Sequence, residues 1–339
     1  MTIAGPLRVI DFGTVAPLHS QTLWHAVVYG VSSGAAPTLS FVRPSSPYVS
    51  IGYHRRLDEV DTTSCAAKGW PVYRRMIGGG PVYLDHGQLF FQITMPISSL
   101  PAARQQALRM LLSPAVDAFR ELGIEAELDD HLEIVVGDRK ICGYGAGQIG
   151  EAAIVVGNLI LDFDHEAAAS ILRTPSAAAR DELSGLIHRY VAATPTDPEA
   201  FKKAAVAAYS RALSLTPREG QLGAQEKDHL EDLDQRFCSQ SWLAGQNRPR
   251  PAVWQAKVRA GVWMFCAHDQ SGEVVVSVER GRILKAHLQH SSLNGSRSSL
   301  EASLTGLTLA EAACTLGDAG TAGRNLAQLM AAAEPARSA

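Results

Sequence analysis

Apolar positions along the chain change period several times, and each change predicts an element. From Ser20 onward, Trp24, Val27, Val28 and Val31 recur at steps of three and four, one face of a helix that Ser20 would cap and Gly34 would end. The runs 39–43 and 48–53 are rich in β-branched and aromatic residues and flank Pro44 and Pro47, which predicts a hairpin with a longer loop. Strand patterning continues over 72–76, 81–84 and 88–95, the last alternating Phe91, Ile93 and Met95 with Phe90, Gln92 and Thr94. Helical spacing returns at 100–123 through Leu108, Leu111, Leu112, Val116, Phe119 and Leu122, and Pro114 within it predicts a kink or two abutting helices.

Further strands are expected at 124–128, 132–136, 140–143 and 154–163, followed by a mainly helical region over 164–245. Arg248-Pro249-Arg250-Pro251 is a stiff connection, so the expected organisation is a catalytic domain over 1–247 and a small module over 252–317. In that module 253–267, 274–278 and 283–288 read as strands and 300–304 as helix. The Ala-rich tail, 318–339, is expected to be poorly ordered apart from a short helix near 326–333. The fold class is α+β, with mixed sheets and flanking helices in the large domain and a small α+β accessory module.

Composition narrows the partners. Among 339 residues, 46% are hydrophobic and 19% charged with a net charge of -3, which gives no electrostatic reason for a nucleic-acid partner. No apolar window of about 18 residues predicts a membrane span, and the N-terminus lacks a basic segment leading into an apolar one. The five cysteines are odd in number and lack a C-x-x-C pair, which fits a reducing, cytoplasmic setting.

Two glycine-studded stretches carry the candidate chemistry: Arg74-Arg75-Met76-Ile77-Gly78-Gly79-Gly80-Pro81-Val82-Tyr83 and Gly137-Asp138-Arg139-Lys140-Ile141-Cys142-Gly143. Successive glycines can turn several N–H groups toward one anion, and Arg75 could add a planar fork for carboxylate or phosphate. The plain alternative is a flexible turn with a surface arginine. Lys140, projected from a short strand after a tight turn, could neutralise charge developing in phosphoryl transfer, or simply point into solvent. Gly145-Ala146-Gly147-Gln148-Ile149-Gly150 fits a dinucleotide fingerprint, but charged residues precede it and a β-branched run follows at once, against an NAD-dependent oxidoreductase. Cys142 reads as a packing residue, His54 as a pocket wall or a strand end, and Asp130-His131 lacks a third metal ligand at useful spacing.

Taken in order, these residues resemble the lipoate-protein ligase family, which shares its catalytic fold with octanoyltransferases and biotin ligases. Arg74-Arg75-x-x-Gly78-Gly79-Gly80-x-Val82-Tyr83-x-Asp85 is similar to the family segment that wraps the acyl-adenylate, and the stretch around Lys140 to Gly143 to the strand bearing its essential lysine. Gly157-Asn158-Leu159-Ile160-Leu161 is similar to a further family strand, with Val156 and Asn158 in place of its usual histidine and threonine and Leu84 in place of a histidine before Asp85. The likeness covers roughly 20–245 and reaches, through Arg236, Ser241, Trp242 and Gly245, into an accessory domain. It implies activation of lipoate with ATP and Mg2+ to lipoyl-AMP, then transfer to a lysine of a lipoyl domain, a glycine-cleavage H-like protein or a dedicated lipoate-binding carrier. It also implies Lys140 as the catalytic group; Arg75, Gly78, Gly79, Gly80, Val82, Tyr83, Asp85, Gly143, Gly157 and Asn158 as nucleotide- and acyl-binding; and Gly52, Tyr53 and His54 beside the acyl tail. An octanoyl or lipoyl transferase and a non-catalytic lipoate or nucleotide binder are the alternatives; the cysteine that the transferases place before the lysine strand or well after it is missing at both places.

Overall fold

Leu7–Val15, which the apolar pattern did not predict, is a central strand of the computed structural model, which describes residues 5–31, 35–246, 248–251, 253–293 and 297–332. The chain runs β1 (Leu7–Val15), α1 (Pro17–Tyr29), β2 (Thr38–Pro44), β3 (Tyr48–Ile51), α2 (Thr62–Ala67), β4 (Val72–Arg74), β5 (Val82–Leu84), β6 (Gln88–Pro96) and α3 (Arg104–Glu121). It continues through β7 (Glu127–Leu128), β8 (Ile134–Val136), β9 (Arg139–Cys142), β10 (Tyr144–Ile149), β11 (Ala152–Ile160), α4 (His165–Ser170), α5 (Ala177–Tyr190), α6 (Pro198–Leu213) and β12 (Pro217–Glu219). It ends with α7 (Ala224–Cys238), α8 (Gln240–Ala244), β13 (Trp254–Arg259), β14 (Val262–His268), β15 (Gly272–Glu279), β16 (Arg282–His290), α9 (Arg297–Leu304), α10 (Leu309–Gly317) and α11 (Gly320–Ala332).

Contacts divide the chain into two compact units. The first holds the chain up to Leu172 and resumes at Val191; the second holds Arg173–Tyr190 and the chain from Arg248 onward. In the first, a six-stranded mixed sheet has the order β10-β11-β6-β2-β1-β12, and β4-β3-β5 and β7-β8-β9 form two three-stranded sheets. The hairpin expected from 39–43 and 48–53 does not form. β2 pairs with β1 and β6 while β3 pairs with β4 and β5, so the Pro44–Pro47 link carries the chain from one sheet to another.

One face of the main sheet presents Phe91, Ile93, Met95 and Val155 to Leu112, Phe119, Phe201 and Tyr209 of α3 and α6, each burial contributing about 1.5–3 kcal/mol. The other face lies beneath α1. That helix begins with Pro17 at its first turn, where the missing N–H costs nothing, rather than at Ser20. The Ser20 hydroxyl bonds the Pro17 carbonyl at 2.7 Å and Tyr48 Oη at 2.9 Å. The helix closes at Gly30, and the expected stop, Gly34, lies outside the described residues. α3 runs unbroken through Pro114. Residues 144–149 form an edge strand paired throughout with β11, so the Gly-x-Gly-x-x-Gly run is not a phosphate turn.

The second unit is a four-stranded antiparallel sheet, β13-β14-β15-β16, with helices packed on it. The stretch read as one strand over 253–267 breaks at Gly261, whose φ of 78° turns β13 into β14. The short helix expected near 326–333 begins earlier, at Gly320, and runs to Ala332; Leu326 and Met330, one turn apart, both bury in this unit's core. Glu182 of α5, 7% exposed, meets Lys285 Nζ at 3.1 Å on β16.

Candidate active site

The triple glycine lies between β4 and β5, and Arg75 shapes it from behind. Arg75 is buried, and its N–H groups reach Gly78 O (3.1 and 2.9 Å), Gly80 O (2.8 Å), Ser50 O (2.9 Å) and Ser50 Oγ (3.3 Å). These contacts engage the guanidinium's donors. The expectation that Arg75 forks onto a ligand is therefore corrected: the side chain is spent on its own loop. In a planar trans peptide the N–H points opposite the preceding C=O. With Gly78 O drawn onto Arg75 and Gly79 O pressed against Gly52, the amides of Gly79 and Gly80 turn away from the protein. Both residues are exposed, and among the described residues the amides of Gly78, Gly79 and Gly80 donate to no carbonyl.

Electrostatics favours an anion at those amides. Burial lowers the Arg75 guanidinium from its ordinary value to about 10, and among the described residues no carboxylate lies at ion-pair distance from it. A buried positive charge behind outward N–H groups is an arrangement that could accept an anion.

Neighbouring elements fix the loop. Gly52 allows the close approach, since a Cβ there would stand 2.0 Å from Gly79 O. Gly79 has φ of 102°, a conformation suited to glycine. Arg74, 1% exposed, bonds the carbonyls of Gly52, Tyr53 and Arg55 at 3.0, 3.1 and 2.6 Å and that of Leu243 at 2.9 Å. On α1, His25 Nδ1 lies 2.6 Å from Gln21 O, and Nε2 accepts the Met76 N–H at 3.1 Å. That pattern requires neutral imidazole protonated at Nδ1, and burial lowers its pKa from 6.5 to about 3. The exposed Tyr53 and His54 rings meet edge to face at 4.9 Å, and Tyr53 lies 5.8 Å from Trp242. Val82 is exposed, whereas Tyr83 and Asp85 are buried; burial, then the Asp85 charge, raises the Tyr83 phenol. Asp85 also accepts the Gly87 N–H at 2.9 Å, so it holds a turn.

Lys140 lies on β9, its ammonium 3.1 Å from the carboxylate of buried Glu133. Three residues on, the Gly143 N–H donates to Asn158 Oδ1 at 2.6 Å, Asn158 Nδ2 donates to Gln88 Oε1 at 2.6 Å, and Gln88 Nε2 to Tyr83 O at 3.3 Å. This relay ties the lysine strand to β5 just past the glycine loop, and Asn158 is its centre. Ile77 of that loop rests on β10: Cβ atoms at Gly145 and Gly147 would stand 2.7 and 2.9 Å from its side chain. Gly157 is different. Its missing Cβ makes room for the Phe91 ring, on the face turned away from α1, so it packs rather than binds.

Sequence reasoning missed Glu133, Gln88, His25 and Ile77. The one signal for His25 was its place beside Trp24 in the apolar-spaced half of α1; Glu133 becomes Lys140's partner only through the β8–β9 register. Asp130 and His131 are exposed, and among the described residues no three His, Cys, Asp or Glu side chains gather to hold a metal.

Residues 17–206 match the model of the lipoyl protein ligase A/B catalytic domain, over half of the chain. The chain belongs to that family. Octanoyltransferase LipM from Kyrpidia tusciae is 25% identical over 269 residues, covering 69% of this chain and 97% of the relative. A bi-partite lipoate protein ligase from Thermoplasma acidophilum, solved with its E2 lipoyl domain, superposes with a TM-score of 0.66 at 23% identity, over 73% of this chain and 99% of its own. A lipoate-protein ligase A bound with ATP gives 0.61 at 22%, over 71% and 99%. The fold is thus that of the biotin and lipoate ligases, and the family is one of lipoate ligases and octanoyltransferases.

Proposed function

We propose that the protein is an ATP-dependent lipoate-protein ligase. A lipoate carboxylate oxygen attacks the α-phosphorus of ATP and pyrophosphate leaves; the amine of an acceptor lysine then attacks the acyl carbon and AMP leaves. Gly79 and Gly80 N–H groups, backed by the Arg75 charge, receive phosphate or acyl oxygens, and the Lys140 ammonium offsets negative charge as it develops. Glu133 holds that ammonium in place. Any Mg2+ would arrive on the ATP phosphates and take one or two carboxylates at most. Lipoyl domains, H-like proteins or a dedicated carrier are the proposed acceptors, and Lys140, Arg75, Gly78–Gly80 and Asn158 the residues that form the site.

One observation carries adenylation over thiol-mediated transfer. Cys142, the cysteine on the lysine strand, is buried in the core and its thiol is pushed up to about 12, the reverse of an activated nucleophile. Cys65 is also buried and raised, and the exposed Cys238 ends α7, on neither the lysine strand nor the glycine loop. The likeness to LipM keeps octanoyl transfer as the second reading. Pyrophosphate release that requires both ATP and lipoate is the expected result. Acyl transfer from an octanoylated carrier without ATP, abolished in Cys142→Ala, would replace the ligase with the transferase.

A further inference from the structure

Arg75 is buried, and among the described residues no carboxylate balances its charge. Burial lowers it to about 10, which leaves it charged near neutral pH. Buried charges in folded proteins are as a rule paired. What meets this one on the α1 side is instead a chain of neutral groups that ends in the first turn of that helix. Arg75 Nη1 donates to Ser50 Oγ at 3.3 Å, and Ser50 Oγ donates to Gln21 Oε1 at 3.2 Å. Gln21 Nε2 donates to Tyr48 Oη at 2.6 Å, Tyr48 Oη lies 2.9 Å from Ser20 Oγ, and Ser20 gives its hydroxyl hydrogen to Pro17 O at 2.7 Å. Ser20, Gln21, Tyr48 and Ser50 are all 4% exposed or less.

The order of donors is fixed from both ends. A guanidinium only donates, so Ser50 Oγ accepts from it and passes its own hydrogen on. The Pro17 carbonyl only accepts, so it takes the single Ser20 hydrogen, and the Tyr48 phenol donates to Ser20. The group between Ser50 and Tyr48 must accept at one end and donate at the other, which the amide of Gln21 does and a carboxylate cannot. The Gln21 main chain serves the same loop: its carbonyl oxygen lies 2.6 Å from His25 Nδ1, and His25 Nε2 takes the Met76 N–H. Arg75 and Met76, which lead into Ile77 and the glycines, thus both trace back to one glutamine of α1.

We propose that Gln21 is a positioning residue for the glycine loop: its neutral relay holds the Arg75 guanidinium in place without a counter-charge, so that the charge remains for a phosphate or carboxylate oxygen at the Gly79 and Gly80 amides. The inference rests on the adenylating site proposed above. Glutamate has the shape of glutamine, but ionised at this position it would stand one hydroxyl away from the guanidinium, whose charge favours that ionisation. It would repel the ligand anion through a low-dielectric interior and offset the attraction of Arg75. It would also give Arg75 a counter-charge, so fold stability and anion affinity move in opposite directions. That opposition separates the role from a purely structural one, in which a variant that keeps the fold keeps the ligand.

Calorimetric titration of the full chain with ATP and with lipoic acid near neutral pH, alongside thermal denaturation, tests this. Gln21→Glu is expected to weaken both anions about tenfold or more, while the thermal midpoint holds or rises. Tyr48→Phe, which cuts the relay without adding charge, is expected to lower the midpoint and to lose less affinity than Gln21→Glu. Wild-type affinities in Gln21→Glu would overturn the proposal, and so would affinity that falls in step with stability across both variants. A wild type that binds lipoate but not ATP, with lipoate still weakened in Gln21→Glu, would remove the ligase reading and keep the relay. A wild type that binds neither would overturn both.

Discussion

Lys140 and Glu133 pair at 3.1 Å with the carboxylate buried, so the proposed catalytic role of the lysine can be separated from its structural one. In the proposed role, as a charge facing the reacting phosphate, it would be worth about 10²–10³-fold in rate, and Lys140→Ala is expected to lower pyrophosphate release by that factor. As a partner of a buried acid it adds stability, so the same variant should unfold about 1–3 kcal/mol more easily. Adding Glu133→Gln should restore much of the stability and none of the rate; recovery of both would show that Lys140 is structural alone. His25 predicts a pH effect whose sign is fixed by its neutral state. Its folded pKa of about 3 lies below the unfolded 6.5, so between those values the unfolded chain binds the extra proton. Stability is therefore fully present above 6.5 and lost as pH falls toward 3, by up to about 1.4 kcal/mol per pH unit. Urea midpoints measured across that window should flatten in His25→Gln, which can still accept the Met76 N–H.

At the scale of elements, the glycine loop works because two backbones touch. A methyl at Gly52 would meet the Gly79 carbonyl at 2.0 Å, so Gly52→Ala must displace the loop and turn its amides, whereas Gly78→Ala meets nothing within 4 Å. Gly52→Ala is expected to cost about 1–3 kcal/mol and to raise the KM for ATP, with Gly78→Ala close to wild type in denaturation; equal effects would mean that the contact does not hold the loop. Such a contact is invisible in sequence, where Gly52 reads as part of a strand end. Patterns that one element satisfies alone were legible: α3 and β11 follow from their apolar spacing, and the strand-loop-strand setting of Gly78–Gly80 from its flanks. Elements that depend on remote partners were not. β12 is three exposed residues, Pro217–Glu219, held by pairing with β1, and β2 and β3 join separate sheets although they adjoin in sequence. Arg75 misled for a related reason: an arginine beside glycines resembles a ligand fork until its burial and its carbonyl partners are known.

At the scale of the whole molecule, the chain leaves the first unit at Arg173 and re-enters at Val191, and α5 between them packs in the second. The re-entry point is the lysine strand itself. Val191 bridges Lys140, the Ala192 N–H donates to Lys140 O at 2.9 Å, and Arg139 Nη2 donates to Val191 O at 3.0 Å. Tyr190, the last residue of α5, is one peptide bond away and buried. The covalent link from Tyr190 to Val191 lets the effect of loosening the second unit be tested at the chain beside Lys140. Leu326 of α11 lies in that unit's core, and Leu326→Ala should destabilise it by about 2–5 kcal/mol. Hydrogen exchange then discriminates: the Ala192 amide should exchange faster in Leu326→Ala, while core amides of β6, such as Phe91 and Ile93, remain as protected as in the wild type. Unchanged protection at Ala192 would show that the bridge to Lys140 is held by the first unit alone, and that the accessory unit can open without loosening the lysine strand.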